Sequence, residues 1–318
     1  MKPNLVNDSS AAEVSVISCP QNVRREAVLQ LKAARDEWGR NELVVAINLM
    51  LEQVDADWSG LLITADAEGN PTGAIWVEVL TSKEANLWLP HSECGCTPEL
   101  LSAAIGWARQ QGLRVVKTVV EGNDLQTATL LRENGFPKTV SLNYMSVSTQ
   151  TVLKAPVANA LASFIHVEEL APERLETVFG QIEKNSLDCP DLQGMLTAQE
   201  ALEGFYRQDV HAPAHWYLVH CEREDAGVLL LAPHPASNNW ELMYMGLVPA
   251  WRGRGLGVQV VNEALHRARE AGIEEVILAV DERNTPARQL YEQFGFRSRI
   301  TCVVHAWIHK SEKPQEKL

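Results

Sequence analysis

Apolar and polar positions along this chain alternate between short, nearly continuous apolar runs and longer stretches in which apolar residues recur every three or four positions. The second half shows it most plainly. From Leu256 the apolar positions Leu256, Val260, Val261, Ala264, Leu265 and Ala268 make one stripe of a helix with a charged opposite face, and Gly272 is placed to end it. The run Val276-Ile277-Leu278-Ala279-Val280 then predicts a strand covered on both faces. Pro286 suits the first turn of a further short helix that carries Tyr291 and stops at Gly295. Upstream, residues 164–167 are expected to open this half, followed by helices over 172–182 and 197–206 with a loop at 185–194, and an apolar strand-like run precedes the turn at Val248. The order at the centre of this half is strand, loop, helix, strand, helix.

The loop is Arg252-Gly253-Arg254-Gly255-Leu256-Gly257, which reads as an anion cradle. Three glycines let bare backbone approach a ligand, the helix behind them points its free N–H groups and positive dipole end at the loop, and two guanidinium groups add charge. A pyrophosphate suits such a loop. A P-loop is excluded, because Gly-Leu-Gly-Val stands where Gly-Lys-Ser/Thr is needed. The dinucleotide fingerprint fits poorly although Asp281 ends the next apolar run: the glycines alternate as G-x-G-x-G, and Val248-Pro249-Ala250-Trp251 separates them from the strand.

Three segments together, ELMYMGLVPAWRGRGLG from Glu241, the run 276–280, and NTPARQLYEQFGF from Asn284, resemble the GNAT superfamily of acyl-CoA-dependent N-acyltransferases. The resemblance covers the signature half of one domain and implies acetyl-CoA as co-substrate, without a metal. It also implies that the strand before the loop carries a bulge and splays from the next parallel strand, with the pantetheine arm between them. On these positions Leu247 and Val248 pair with that arm, and the Leu247 amide holds the thioester carbonyl and its oxyanion. Arg252, Gly253, Arg254, Gly255, Leu256, Gly257 and Val258 form the pyrophosphate loop, and Asn284 contacts the coenzyme. Acyl transfer to an amine needs a base for the ammonium and an acid for the leaving thiolate. Glu241 matches the family's strand base and Tyr291 its proton donor. A core aromatic and a solvated strand carboxylate are the plainer readings of those two residues.

A shift of 160 residues superposes Gly95 on Gly255, Gly112 on Gly272, Gly135 on Gly295 and Phe136 on Phe296, a single offset that marks an internal repeat. The expected fold is α/β, with two tandem GNAT-like domains, each a mixed, centrally splayed sheet flanked by helices. The expected division is a tail over 1–12, a degenerate domain over 13–148, a linker over 149–163, a catalytic domain over 164–310 and a tail over 311–318. In the first copy Ser92-Glu93-Cys94-Gly95-Cys96-Thr97 replaces the loop, Asp124 replaces Asn284, Leu131 replaces Tyr291 and Thr81 replaces Glu241. Side chains return where backbone had to approach a phosphate, and the proton donor becomes aliphatic. In the second copy Asp188, Cys189 and Asp191 are candidates to face an acceptor.

Net charge is −13 with no basic face beyond Arg252 and Arg254, which disfavours nucleic acid and suits a cationic amine, small molecule or peptide. No apolar run spans a membrane and the polar start carries no export signal, so a cytoplasmic protein is expected, monomeric or homodimeric. The six cysteines, Cys19, Cys94, Cys96, Cys189, Cys221 and Cys302, are scattered as reduced thiols would be. Cys94-Gly-Cys96 has no second pair at zinc-site spacing. The tandem arrangement resembles that of mycothiol synthases, which makes acetylation of an aminosugar thiol precursor a second expectation. A non-catalytic acyl-CoA sensor is a third.

Overall fold

The computed structural model describes residues 15–33, 37–52, 55–91, 94–150, 162–208, 212–234 and 237–309. Both expected tails, residues 151–161 of the expected linker, and Ser92 and Glu93 lie outside them. The chain forms two compact units, one extending to Val79 and including Asn86–Gln111, the other comprising Leu80–Ala85 and the chain from Gly112 onward.

The first unit holds β1 (Val16–Ser18), α1 (Arg24–Ala33), α2 (Glu37–Glu52), β2 (Leu61–Ala65), β3 (Pro71–Val79) and α3 (Thr97–Gln110), while β4 (Glu84–Trp88) has residues in both units. β2 pairs antiparallel with β1 and with β3. Trp76 is buried between Trp58 and Trp88, at ring-centroid distances of 5.3 and 6.4 Å, and this stack fills the core beside Ala27 and Leu31 of α1. A proline in its first turn and Arg109 in its last suit α3 to its ends.

The second unit contains β5 (Val115–Glu121), α4 (Leu125–Glu133), β6 (Lys138–Ser148), β7 (Ala162–His166), α5 (Pro172–Ile182), α6 (Ala198–Gln208), β8 (Trp216–Cys221), β9 (Glu224–His234), β10 (Asn239–Leu247), α7 (Leu256–Glu270), β11 (Glu275–Asp281), α8 (Thr285–Gln293) and β12 (Arg297–Ile308). Its strands lie in the order β5-β12-β6-β11-β10-β9-β8-β7. The pairing is antiparallel except between β10 and β11, the two strands joined by the α7 crossover. The six-residue stripe predicted for α7 is its buried face, packed in one core with Val276, Leu278 and Val280 of β11. The other face of β11 is covered unevenly, with Ile277 half-buried, Ala279 exposed and Asp281 fully buried.

The 160-residue offset carries β5 onto β11 and α4 onto α8 end for end. Even their caps correspond: the Asp124 carboxylate accepts from the Thr127 amide at 3.0 Å, and the Asn284 side chain accepts from the Ala287 amide at 3.3 Å. Pairing exchanges what the sequence repeats. β6, the last strand of the first copy, runs beside β11 of the second, while β12, the last strand of the second, runs beside β5 of the first. Among the described residues no helix is long and apolar enough to cross a membrane.

Candidate active site

β10 pairs with β9 from Asn239 to Leu247, with an irregularity between Leu242 and Tyr244 that leaves Met243 as the extra residue of a bulge. Its parallel pairing with β11 is confined to Asn239, Trp240 and Glu241 against Glu275, Val276 and Ile277. Beyond Glu241 the two strands run on, to Leu247 and to Asp281, without pairing to each other. The Val248 amide donates to Ala226 on the β9 side at 2.9 Å. Strand alternation therefore turns the amide of Leu247 to the opposite side, into the opening. Gly246 permits the end of α5 to close on β10, because a Cβ there would lie 2.3 Å from Ile182 Cγ2.

A short 3₁₀ turn over Pro249–Trp251 buries Trp251 and leads into the glycine loop. Gly253 and Gly255 sit at φ +73° and +80°, where an L side chain is strained, and a Cβ at either would meet open space. The loop thus presents uncovered backbone, and Gly255 begins α7 with no side-chain cap, leaving its first N–H groups to face outward. Gly257 serves packing, since a Cβ there would lie 3.1 Å from Leu290 on α8. The two arginines diverge. Arg252 donates to the carbonyls of Leu247 (2.9 Å), Ile182 (2.5 Å), Lys184 (3.1 Å) and Asn185 (2.9 Å), collecting orphan carbonyls at the C-terminal end of α5. Arg254 is exposed and lies over the Trp251 ring, 5.1 Å from its centroid.

Glu241 occupies the last paired position before the strands separate, and its Oε2 lies 3.1 Å from His234 Nε2. Tyr291 is buried on α8 against Phe296. Burial, and secondly the charge of Asp188, hold its phenol well above the ordinary tyrosine range, so the hydroxyl keeps its proton. Tyr244, packed 4.7 Å from Phe179 and 5.7 Å from Phe205, is raised in the same way, chiefly by burial and then by Asp188. Asp188 comes from the loop between α5 and α6, and its own carboxyl is pushed up to about 6, first by desolvation and then by Asp281. That loop is tied to the end of β11 by Arg283, which donates to Asp191 at 2.7 Å and to the fully buried Asp281 at 2.9 Å.

Residues 184–296 match the model of the acetyltransferase (GNAT) family. This chain carries a GNAT acetyltransferase domain. A mycothiol acetyltransferase of Thermobifida fusca is 40% identical over 94 residues, which is 30% of this chain and 27% of that protein. One from Corynebacterium aurimucosum is 26% identical over 255 residues, 76% of this chain and 74% of its own. The chain thus spans about a quarter of the length of the first of these relatives and three quarters of the other. Among solved structures, a GCN5-related N-acetyltransferase from Sphaerobacter thermophilus superposes with TM-score 0.60 at 15% identity, covering 92% of this chain and 94% of that one. A tandem GNAT protein from the clavulanic acid biosynthesis pathway superposes with TM-score 0.57 at 15% identity, covering 94% and 100%. At that identity the likeness is one of fold, and the fold is the tandem GNAT arrangement.

Within the GNAT domain Glu241 and Leu247 fall on β10 and Val248 directly after it, Arg252 to Gly255 lie in the loop that follows, Leu256 to Val258 in the first turn of α7, and Tyr291 and Asn284 on and before α8. Asn284 spends its side-chain oxygen on the α8 cap. Of the acceptor-facing candidates, Asp191 is committed to Arg283, and the Cys189 thiol is pushed up to about 12 by burial and then by Asp188. His234, Tyr244 and Arg283 were absent from the sequence-derived set. Hairpin register explains His234: Glu241 stands opposite Ala232, so His234 is its diagonal neighbour on the same face, a relation readable only once the register is known. Among the described residues no group of three His, Cys, Asp or Glu side chains is placed to hold a metal ion.

Proposed function

We propose that the GNAT domain transfers an acetyl group from acetyl-CoA to a primary amine, and that the second copy alone performs this chemistry. One observation carries the reading: β10 and β11 stop pairing immediately past Glu241, which leaves the Leu247 amide turned into the opening with a carboxylate at its head. The fit of the coenzyme rests on the bare loop. Positive-φ glycines with open space above them and an uncapped helix N-terminus suit a pyrophosphate, with Arg254 the guanidinium free to join it and Arg252 holding the loop against α5. The coenzyme supplies an activated thioester.

The protein's residues supply the rest. Glu241, oriented by His234, takes the proton of the attacking amine, directly or through water. The Leu247 amide donates to the thioester oxygen as it gains negative charge. Tyr291 enters protonated and gives its proton toward the departing sulfur. Asp188 places negative charge beside both tyrosines, where a cationic acceptor is favoured.

The test is release of free thiol from acetyl-CoA by the full chain across an amine panel. Turnover with at least one amine is expected; binding of acetyl-CoA without turnover by any amine would replace the enzyme with a sensor. Equilibrium dialysis should find one acetyl-CoA per chain, and two would return chemistry to the first copy. The named relatives favour a second reading of the acceptor, an aminosugar thiol precursor, which belongs first on the panel.

A further inference from the structure

Cys94 and Cys96 lie in the first unit, in the loop that precedes α3, and take no part in acetyl transfer as proposed. Their sulfurs are 3.0 Å apart, about 1 Å more than a disulfide bond. Both residues are free and half-buried. The sulfurs sit on bare backbone: a Cβ at Gly73 of β3 would lie 2.5 Å from Cys94 Sγ and 2.8 Å from Cys96 Sγ. No side chain fits between the pair and the strand. A hydroxyl chain reaches one sulfur, since Thr72 donates to Thr64 at 2.9 Å and Thr64 Oγ1 lies 3.1 Å from Cys96 Sγ. With its oxygen accepting from Thr72, Thr64 has its own proton to direct at Cys96.

We infer that Cys94 and Cys96 are a dithiol–disulfide couple that exchanges with low-molecular-weight disulfides. The distance, the shared glycine floor and the hydroxyl chain are what a pair that must close with little movement requires. Thr64 is placed to donate to a Cys96 thiolate at 3.1 Å, whereas burial and the neighbouring sulfur hold the Cys94 thiol above its ordinary value, so Cys96 is the first attacker. Cys96 as thiolate attacks one sulfur of the small disulfide RSSR, forming a mixed disulfide and releasing RS⁻. Cys94, losing its proton, then attacks Cys96 Sγ and expels the second RS⁻. The two cysteine protons end on two RSH, and the two electrons lost by the couple reduce RSSR. The other thiols suit a bystander role: Cys19, Cys221 and Cys302 are buried, and the Cys189 thiol is pushed up to about 12.

The experiment treats the full chain with excess oxidised glutathione, blocks remaining thiols by alkylation under acid quench, and maps peptides by mass spectrometry. The expected result is loss of two hydrogen masses in the peptide holding both cysteines, with the other four thiols alkylated and the loss reversed by dithiothreitol. Cys94→Ser should instead accumulate a stable glutathione adduct on Cys96, whereas Cys96→Ser should gain at least tenfold less adduct on Cys94. Retention of both alkylated thiols in the wild-type chain, or a linkage through Cys189 or between two chains, would overturn the assignment. Equal adduct yields in the two variants would overturn the order of attack.

Discussion

Arg252→Ala separates two roles that a guanidinium in a phosphate loop can have. In the structure Arg252 donates to four carbonyls, of which those of Ile182 and Leu247 are half-buried and those of Lys184 and Asn185 exposed. A hydrogen bond from a charged donor contributes about 1.5–3 kcal/mol where solvent is excluded, and much less where water competes. Two half-buried bonds, with a small addition from the exposed pair, put the loss at about 3 kcal/mol. With a urea dependence of about 1–3 kcal/mol per molar, the unfolding midpoint should fall by roughly 1–3 M. Arg252→Lys should recover little of it, because one ammonium cannot span carbonyls that a planar fork reaches together. Arg254→Ala is the control, since Arg254 is exposed and lies over the Trp251 ring rather than on carbonyls of α5. Its midpoint should stay within about 0.5 kcal/mol of the parent while acetyl-CoA affinity falls about tenfold and loses part of its salt dependence. Urea unfolding followed by tryptophan fluorescence, paired with calorimetric titration of acetyl-CoA, reads both. An Arg252→Ala protein with an unchanged midpoint and a tenfold weaker affinity would show that this side chain serves the phosphates.

Tyr291→Phe should lower kcat by about 10²-fold with acetyl-CoA affinity nearly unchanged, and steady-state kinetics beside titration would show it. Glu241→Gln should lower kcat/KM by a similar factor near neutral pH and less at high pH, where free amine is abundant; a pH-independent deficit would remove the base role. Gly255→Val should abolish acetyl-CoA binding, because the left-handed backbone there is strained for a β-branched residue, and circular dichroism would establish that the fold persists. Asp188→Asn should stabilise the protein at neutral pH. Its folded pKa, about 6, lies above the ordinary 3.8, so ionisation costs the native state nothing below about pH 4 and the full penalty above about pH 6. Partial solvent contact reduces that penalty to about 1–2 kcal/mol, and denaturant midpoints at pH 4 and pH 7.5 should show the gain appear between them.

The elements of the second copy were legible because their signals are local. A stripe of six apolar residues places α7, a proline and a glycine bracket α8, and α5 spans the residues expected of it. What escaped is what depends on pairing between distant segments. Arg252 and Arg254 are indistinguishable two residues apart in a loop, and only the arrival of the α5 terminus assigns one to carbonyls. His234 meets Glu241 through hairpin register, and Arg283 meets Asp191 across a separation of 92 residues. The repeat was visible as a constant offset, yet an offset carries no sign of which copy's strand a terminal strand will join.

That exchange has a consequence for how the protein can be taken apart. A fragment beginning near residue 162 would keep every residue proposed for acetyl transfer, yet it would lack β6, the strand that pairs with β11 along all seven of its residues. The wall opposite the acyl site would then present a row of unsatisfied amides and carbonyls, a template for association with other chains. A ladder of backbone hydrogen bonds is indifferent to substitution of side chains elsewhere in the first copy, but not to deletion of its terminal strand. Substitution and truncation are therefore unequal perturbations in this molecule, because the terminal strand of the first copy is part of the sheet that β11 needs.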